Sequence, residues 1–231
     1  MLRIITDFDG PIVDVSERYY RVYQICLDKT RNPRQKVRKL TKGEFWQLKR
    51  SRVPETQIGI ISGLDTAQAQ EFSQLRKQTV HTQPYFQYDN LGDGAVDTLL
   101  QIQQAGIDLA VMTMRRVREL NYAFNQYDLG KFFSEDRRYC LGNDYIKTGD
   151  TKDKPLLMSR ALQELPPAYD TWMIGDTEAD IVAAKSHGIK VIALECGIRD
   201  RNQLEQEEPD LIVKDFSYAA NLILEQSLQT I

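Results

Sequence analysis

Five short segments of this 231-residue chain are apolar almost without interruption. They are residues 2–6 (LRIIT), 107–113 (IDLAVMT), 171–174 (TWMI), 189–194 (IKVIAL) and 211–213 (LIV). A strand with one wet face alternates apolar and polar residues, whereas a strand covered on both faces reads as a continuous apolar run. Helical patterns fall between these segments, at 95–105, 155–165 and 179–186, with Gly106 placed to end the first. Strands alternating with helices predict an α/β fold built on a doubly wound, mainly parallel sheet.

Residues 15–84 break that rhythm. They read as helices at 15–29, 41–50 and 66–79 with no convincing strand. An insertion of about 70 residues is too long for a simple connection. The reading is therefore an α-helical second domain over 15–84, with 1–14 and 85–231 forming the α/β core domain. Residues 16–54 hold twelve Lys and Arg against three acids, a local balance of +9; the chain's net charge of -3 leaves about -12 elsewhere. Such a segment, with TRNPRQKVRKL at its centre, could attract anions or nucleic acid, or serve as a solvated face. Tyr19, Tyr20, Tyr23, Phe45 and Trp46 fit a packed helical core by their spacing, with pocket lining as the alternative.

Composition excludes other classes. Hydrophobic residues at 42% and charged residues at 27% suit a globular chain, and no apolar run approaches the roughly 18 residues a bilayer needs. The opening MLRIITDFDG turns acidic too early for a signal peptide. Cys26, Cys140 and Cys196 form neither a disulfide framework nor a zinc pattern, so a cytoplasmic setting is expected.

Polar residues cluster where the strands stop. Asp7 and Asp9 follow the first in TDFDGPIVD, Thr113 ends the second in AVMTMRR, and Asp176 and Asp180 follow the third in MIGDTEAD. Lys154 lies at the opening of the helix before that third strand, in KDKPLL. Open parallel sheets bind ligands beyond the carboxyl ends of their strands, so these positions could converge. Together they make chemical sense. One carboxylate can attack phosphorus, a second can serve as general acid and base, and crowded carboxylates call for a hard cation such as magnesium. A hydroxyl and an ammonium would hold phosphoryl oxygens, and Gly10 would let the backbone turn close to the phosphate.

These motifs resemble the haloacid dehalogenase-like hydrolase superfamily, over nearly the whole chain. Its Asp-x-Asp-Gly stands here as Asp7, Phe8, Asp9 and Gly10; its strand-end Thr or Ser matches Thr113. Its Lys-Pro matches Lys154 and Pro155, and its Gly-Asp-x-x-x-Asp matches Gly175, Asp176 and Asp180. The resemblance implies a Rossmann-like core with Asp7 as nucleophile and Asp9 as acid and base. It implies Mg2+ held by Asp7, the Asp9 main-chain carbonyl and Asp176, with Asp180 as a direct or outlying partner. The helical insertion resembles the cap of the phosphoglycolate phosphatase-like branch.

Two positions complicate the match. Pro11 stands where many members carry Thr, and is expected to alter the local turn rather than the chemistry. Lys152 competes with Lys154; Lys154 is preferred because Pro155 should mark a helix's first turn. Arg115 and Arg116 could touch substrate or face solvent, and His187 reads as a helix-end residue. Taken alone, Asp7 and Asp9 could be a loop or cap, and Asp180 a first-turn carboxylate. The expected function is a Mg-dependent phosphatase acting on a small phosphorylated metabolite such as phosphoglycolate, a sugar phosphate or a nucleotide. The alternatives are a phosphomutase of the same fold or a non-catalytic anion- or nucleic-acid-binding protein; a dehalogenase would need neither magnesium nor Asp9. No membrane partner is expected, nor nucleic acid as the main one.

Overall fold

The computed structural model of the protein describes residues 1–228. Strand β1 (Leu2–Thr6) and the two-residue β2 (Val13–Asp14) precede four helices: α1 (Ser16–Thr30), α2 (Lys42–Arg50), α3 (Glu55–Ile61) and α4 (Thr66–Thr79). After β3 (Asn90–Leu91) come α5 (Ala95–Gln104), β4 (Asp108–Arg116), α6 (Val117–Tyr127), β5 (Arg138–Leu141) and α7 (Asp150–Glu164). The chain finishes with β6 (Asp170–Gly175), α8 (Glu178–Lys185), β7 (Lys190–Leu194), α9 (Arg201–Glu205), β8 (Leu211–Val213) and α10 (Phe216–Leu228). Its described residues divide into two compact units: Met1–Val13 with Leu91–Gly197 and 201–228, and Asp14–Asn90 with Ile198–Asp200. Residues 85–90 therefore group with the helical unit.

In the first unit, six strands pair in the order β5-β4-β1-β6-β7-β8, every pair parallel. The chain leaves β1 toward one edge through β4 and β5, then returns to the other side through β6, β7 and β8. The order thus reverses at β1, where open parallel sheets form their binding crevice. All five residues of β1 are buried, as its apolar run requires. Ile5, Met112, Met173 and Val191 from the sheet pack with Leu157 and Met158 of α7 and with Ile181 of α8. At the opposite end of the strands, Asp108 bridges Arg3 (2.6 Å) and Arg137 (2.8 Å). Burial pushes its carboxyl up, but hydrogen bonds from Arg137 and Arg3 outweigh that and hold it below the ordinary range.

The second unit is helical. Tyr23 and Phe45 stack at 4.8 Å between ring centres, and Val22, Cys26, Ile58 and Phe72 fill the space around them. Tyr19, Tyr20 and Trp46 pack against that core, in keeping with the spacing argument. Capping boxes start α2, from Thr41 to Glu44, and α4, from Asp65 to Gln68. Helix α3 did not stand out from the sequence. Its Gly59 packs closely: a Cβ there would lie 3.1 Å from the Phe72 ring, which would have to give by a few tenths of an ångström. Among the described residues no helix is long and apolar enough to cross a membrane.

Candidate active site

Asp7 lies one residue beyond β1, held there by its N–H, which donates to the Ile174 carbonyl of β6 at 2.8 Å. The pairing of Thr6 with Val111 and with Ile174 sets the ends of β1, β4 and β6 side by side. Asp176 follows β6 directly, and Asp180 comes from the first turn of α8. One carboxylate oxygen from each of Asp7, Asp176 and Asp180 falls within 4.8 Å of the others, and all three residues are buried. Lys154 of α7, 1% exposed, places Nζ 2.9 Å from Asp7 Oδ2 and 2.5 Å from Asp180 Oδ1.

Two of these buried carboxylates, Asp7 and Asp180, share the one Lys154 ammonium. Burial pushes the Asp7 carboxyl well above its ordinary value; Asp180 and Asp176 push the same way, while Lys154 pulls back. Burial also opposes the charge on Lys154, but Asp180 and Asp7 outweigh it and hold the ammonium above its ordinary value. Three clustered hard oxygen donors fit a divalent cation of the magnesium class.

The backbone closes tightly on Asp176. A Cβ at Gly10, whose φ is +95°, would sit 2.3 Å from Asp176 Cγ, and one at Gly197 only 1.9 Å from Asp176 Oδ2. Gly175 presses on Asp180 in the same way, at 2.1 Å from Cγ. The Asp180 carboxylate also reaches back to the Thr177 N–H (3.0 Å) and hydroxyl (2.7 Å). It therefore starts α8, as the first-turn reading expects, and also faces Lys154.

Asp9 points elsewhere. Its Oδ1 accepts from Arg115 Nε at 2.8 Å and lies 2.7 Å from Arg115 Nη2. Arg115 is 3% exposed and lies over the Phe8 ring at 5.0 Å, so the solvent-facing reading of this residue does not hold. Period-two geometry along β4 was the available signal, since Arg115 follows Thr113 by two. Arg116 instead donates to the Gly142 (3.2 Å) and Asn143 (2.5 Å) carbonyls. Pro11 sits in a turn closed by Gly10 N–H to Val13 O (2.9 Å), and by Ile12 (3.1 Å) and Val13 (3.0 Å) N–H to Phe8 O. None of those bonds needs a donor at position 11, which is where a proline is tolerated.

Two details differ from the sequence reading. Thr113 is not the last residue of its strand, which continues to Arg116. The regular pairing of β4 with β5 stops at Met112, where the register shifts before resuming at Arg116, so Thr113 is the first residue past that ladder. Thr113 is 2% exposed, and its Oγ1 accepts from the Arg115 N–H at 3.1 Å. Helix α7 begins at Asp150, so Pro155 stands inside it rather than in the first turn. The Asp153 carboxylate accepts from Thr148 N–H (2.9 Å) and Gly149 N–H (3.2 Å), which fixes the helix start upstream. The proline argument for Lys154 therefore fails, and position replaces it: Lys154 is buried against Asp7 and Asp180, while Lys152 is exposed. His187 Nδ1 lies 3.0 Å from the Ala183 carbonyl at the end of α8, as expected of a helix-end residue.

Similarity to known proteins agrees with this geometry. Phosphoglycolate phosphatase of Pseudomonas fluorescens is 26% identical over 120 residues, which cover 52% of this chain and 42% of that protein. Phosphoglycolate phosphatase 1 of Pseudomonas aeruginosa is 27% identical over 120 residues, with the same coverage of 52% and 42%. The chain thus matches less than half the length of these curated relatives. A haloacid dehalogenase-like family hydrolase from Streptococcus pneumoniae shares the fold with a TM-score of 0.67 at 20% identity, over 96% of this chain and 97% of that one. A hydrolase from Pseudomonas syringae does so at 0.62 and 19%, over 97% and 99%. The sequence model of the haloacid dehalogenase-like hydrolases matches residues 2–188, from the strand that carries Asp7 past the helix that carries Asp180. With the strand order and the strand-end carboxylates both in keeping, the chain belongs to the haloacid dehalogenase-like hydrolase family.

Proposed function

We propose that the protein is a magnesium-dependent phosphatase that hydrolyses a small phosphate monoester through an aspartyl-phosphate on Asp7. The observation that carries this reading is the buried meeting of Asp7, Asp176, Asp180 and Lys154 at the end of the central strand. In it, an Asp7 carboxylate oxygen attacks phosphorus while the bond to the leaving oxygen breaks. Asp9 gives that oxygen a proton, then takes one from the water that hydrolyses the aspartyl-phosphate. The Thr113 hydroxyl and the Lys154 ammonium hold phosphoryl oxygens as charge develops on them. Mg2+, held by Asp7, the Asp9 main-chain carbonyl and Asp176 with Asp180 alongside, would neutralise the carboxylates and polarise a phosphoryl oxygen.

Relatives named phosphoglycolate phosphatase make phosphoglycolate the first ester to try, followed by sugar and nucleotide phosphates. By its point of insertion the helical unit corresponds to the family's cap, and the choice of leaving group is proposed to rest with it. The test is phosphate release from such a panel with and without Mg2+. Release should require the metal and disappear in Asp7→Asn. Release that survives the substitution refutes the nucleophile, and a rearranged ester without free phosphate would identify a phosphomutase instead.

A further inference from the structure

The segment between α1 and α2 carries five cations in nine residues, Arg31, Arg34, Lys36, Arg38 and Lys39, and no acid. It has no regular structure, yet it is tightly braced. The Gln35 and Gln68 side-chain amides bond each other twice, at 2.9 and 2.7 Å. Gln35 Nε2 also donates to the Gly63 carbonyl at 2.9 Å, and the Arg38 N–H to Ser62 at 2.9 Å. Arg31 Nη1 crosses the loop to the Gln35 carbonyl at 3.2 Å. The braced segment curves around an open hollow of about 520 Å³, lined by Arg31, Arg34, Lys36 and Lys39 with Pro33 and Val37 between them.

Charge around this hollow is unbalanced. Arg31 and Lys39 share one carboxylate, Asp28, while Arg34 and Lys36 have no carboxylate partner among the described residues. Arg38 is not part of the lining and pairs with Glu44. Four cations against one acid, held on a fixed loop, oppose one another until a multivalent anion arrives.

We propose that this hollow is a binding site for a short phosphate chain, as in inorganic tripolyphosphate or the tail of a nucleotide. The proposal does not rest on the phosphatase reading. Guanidinium and ammonium groups on several sides suit successive phosphates, each arginine offering a paired contact. Nucleic acid is a poorer fit on two counts. The lining has no aromatic ring on which a base could stack. The charge of about -12 carried outside residues 16–54 would also repel a long polyanion.

The experiment is calorimetric titration of the whole protein with sodium tripolyphosphate, in EDTA and low salt. The expected result is one saturable site, weakened about tenfold or more in the double variant Arg34→Glu/Lys36→Glu. Arg38→Glu, on the same loop but outside the hollow, should change affinity far less. Absence of saturable binding to the parent, or an equal loss in the Arg38 variant, overturns the site. ATP binding close to that of tripolyphosphate identifies the phosphate tail as the recognised group, and binding of tripolyphosphate alone identifies an inorganic chain. A single-stranded oligonucleotide that binds more tightly than tripolyphosphate through Arg34 and Lys36 overturns the assigned ligand class.

Discussion

Arg115 directs two nitrogens, Nε at 2.8 Å and Nη2 at 2.7 Å, onto a single oxygen of Asp9. A buried guanidinium thereby fixes the direction of the carboxylate proposed as acid and base. Arg115→Met should keep much of the packing over Phe8 while freeing Asp9. The expected outcome is a kcat lowered by about 10- to 100-fold with KM little changed, the range of a mispositioned acid–base group. Arg115→Lys should recover part of the loss. Steady-state kinetics of the two variants decide it, and an equal rise in KM would point to substrate contact instead.

The raised pKa of Asp7 has a stability consequence with a definite sign. A carboxyl whose folded pKa lies above its unfolded value keeps its proton more firmly in the folded state. Metal-free protein should therefore lose stability as pH rises from the ordinary carboxylate range through Asp7's raised pKa. Mg2+ should restore it, and by more at the upper end of that window. Asp7→Asn should stabilise metal-free protein by about 1 kcal/mol, or roughly 2–4 °C. Thermal melts in EDTA across pH test both statements, and a flat difference between parent and variant would contradict them.

Gly197→Ala should weaken the cation site and also cost stability. Its new methyl group would lie 1.9 Å from Asp176 Oδ2 and 2.3 Å from Asp176 Cβ, so the backbone at one of the two positions must shift and carry the carboxylate away. The expected result is a lowered but still cooperative melt in EDTA whose stabilisation by Mg2+ is reduced at least about tenfold in apparent affinity. An unchanged magnesium titration would show that Asp176 is not a ligand.

Asp180 should be costlier to lose than to trim. Asp180→Ala removes the helix-start bonds to Thr177 and leaves Lys154 with fewer counter-charges in a buried setting. Breaking a buried pair on one side costs about 3–5 kcal/mol. Asp180→Asn keeps an oxygen for Thr177 and should cost clearly less. Urea unfolding of the two variants gives the comparison, and equal costs would remove the cap from the explanation.

The motif carboxylates and most strands were legible because each depends on a local signal. Asp7 follows a mostly apolar, fully buried run, and β8 covers the same three residues in sequence and structure. The remainder depends on contacts that no local pattern records. Strand β5 is four residues at the sheet's edge, with alternate residues buried, too short to register as a period. Sequence alone left Arg115 between substrate contact and solvent, whereas β4 places it beside Asp9, and Gly197 had no motif to announce it. The start of α7 was hidden because Pro155 imitates a first-turn proline, while the fixing bonds come from Asp153.

The parallel order of the sheet also bears on how the protein comes into being. β1 lies between β4 and β6, with Arg3 in register beside Asp108 on one side and Thr171 on the other. Both neighbours emerge from the ribosome long after β1 does. At about 5–20 residues per second, the strand preceding Asp7 waits on the order of ten seconds or more for its second partner. Throughout synthesis of the helical unit, its five residues, Leu2, Ile4 and Ile5 among them, stay unpaired and open to chaperones or to mispairing. The carboxylate cluster thus depends on the portion of the chain translated after Asp170, so a polypeptide truncated before β6 would hold Asp7 without Asp176, Asp180 or a finished sheet.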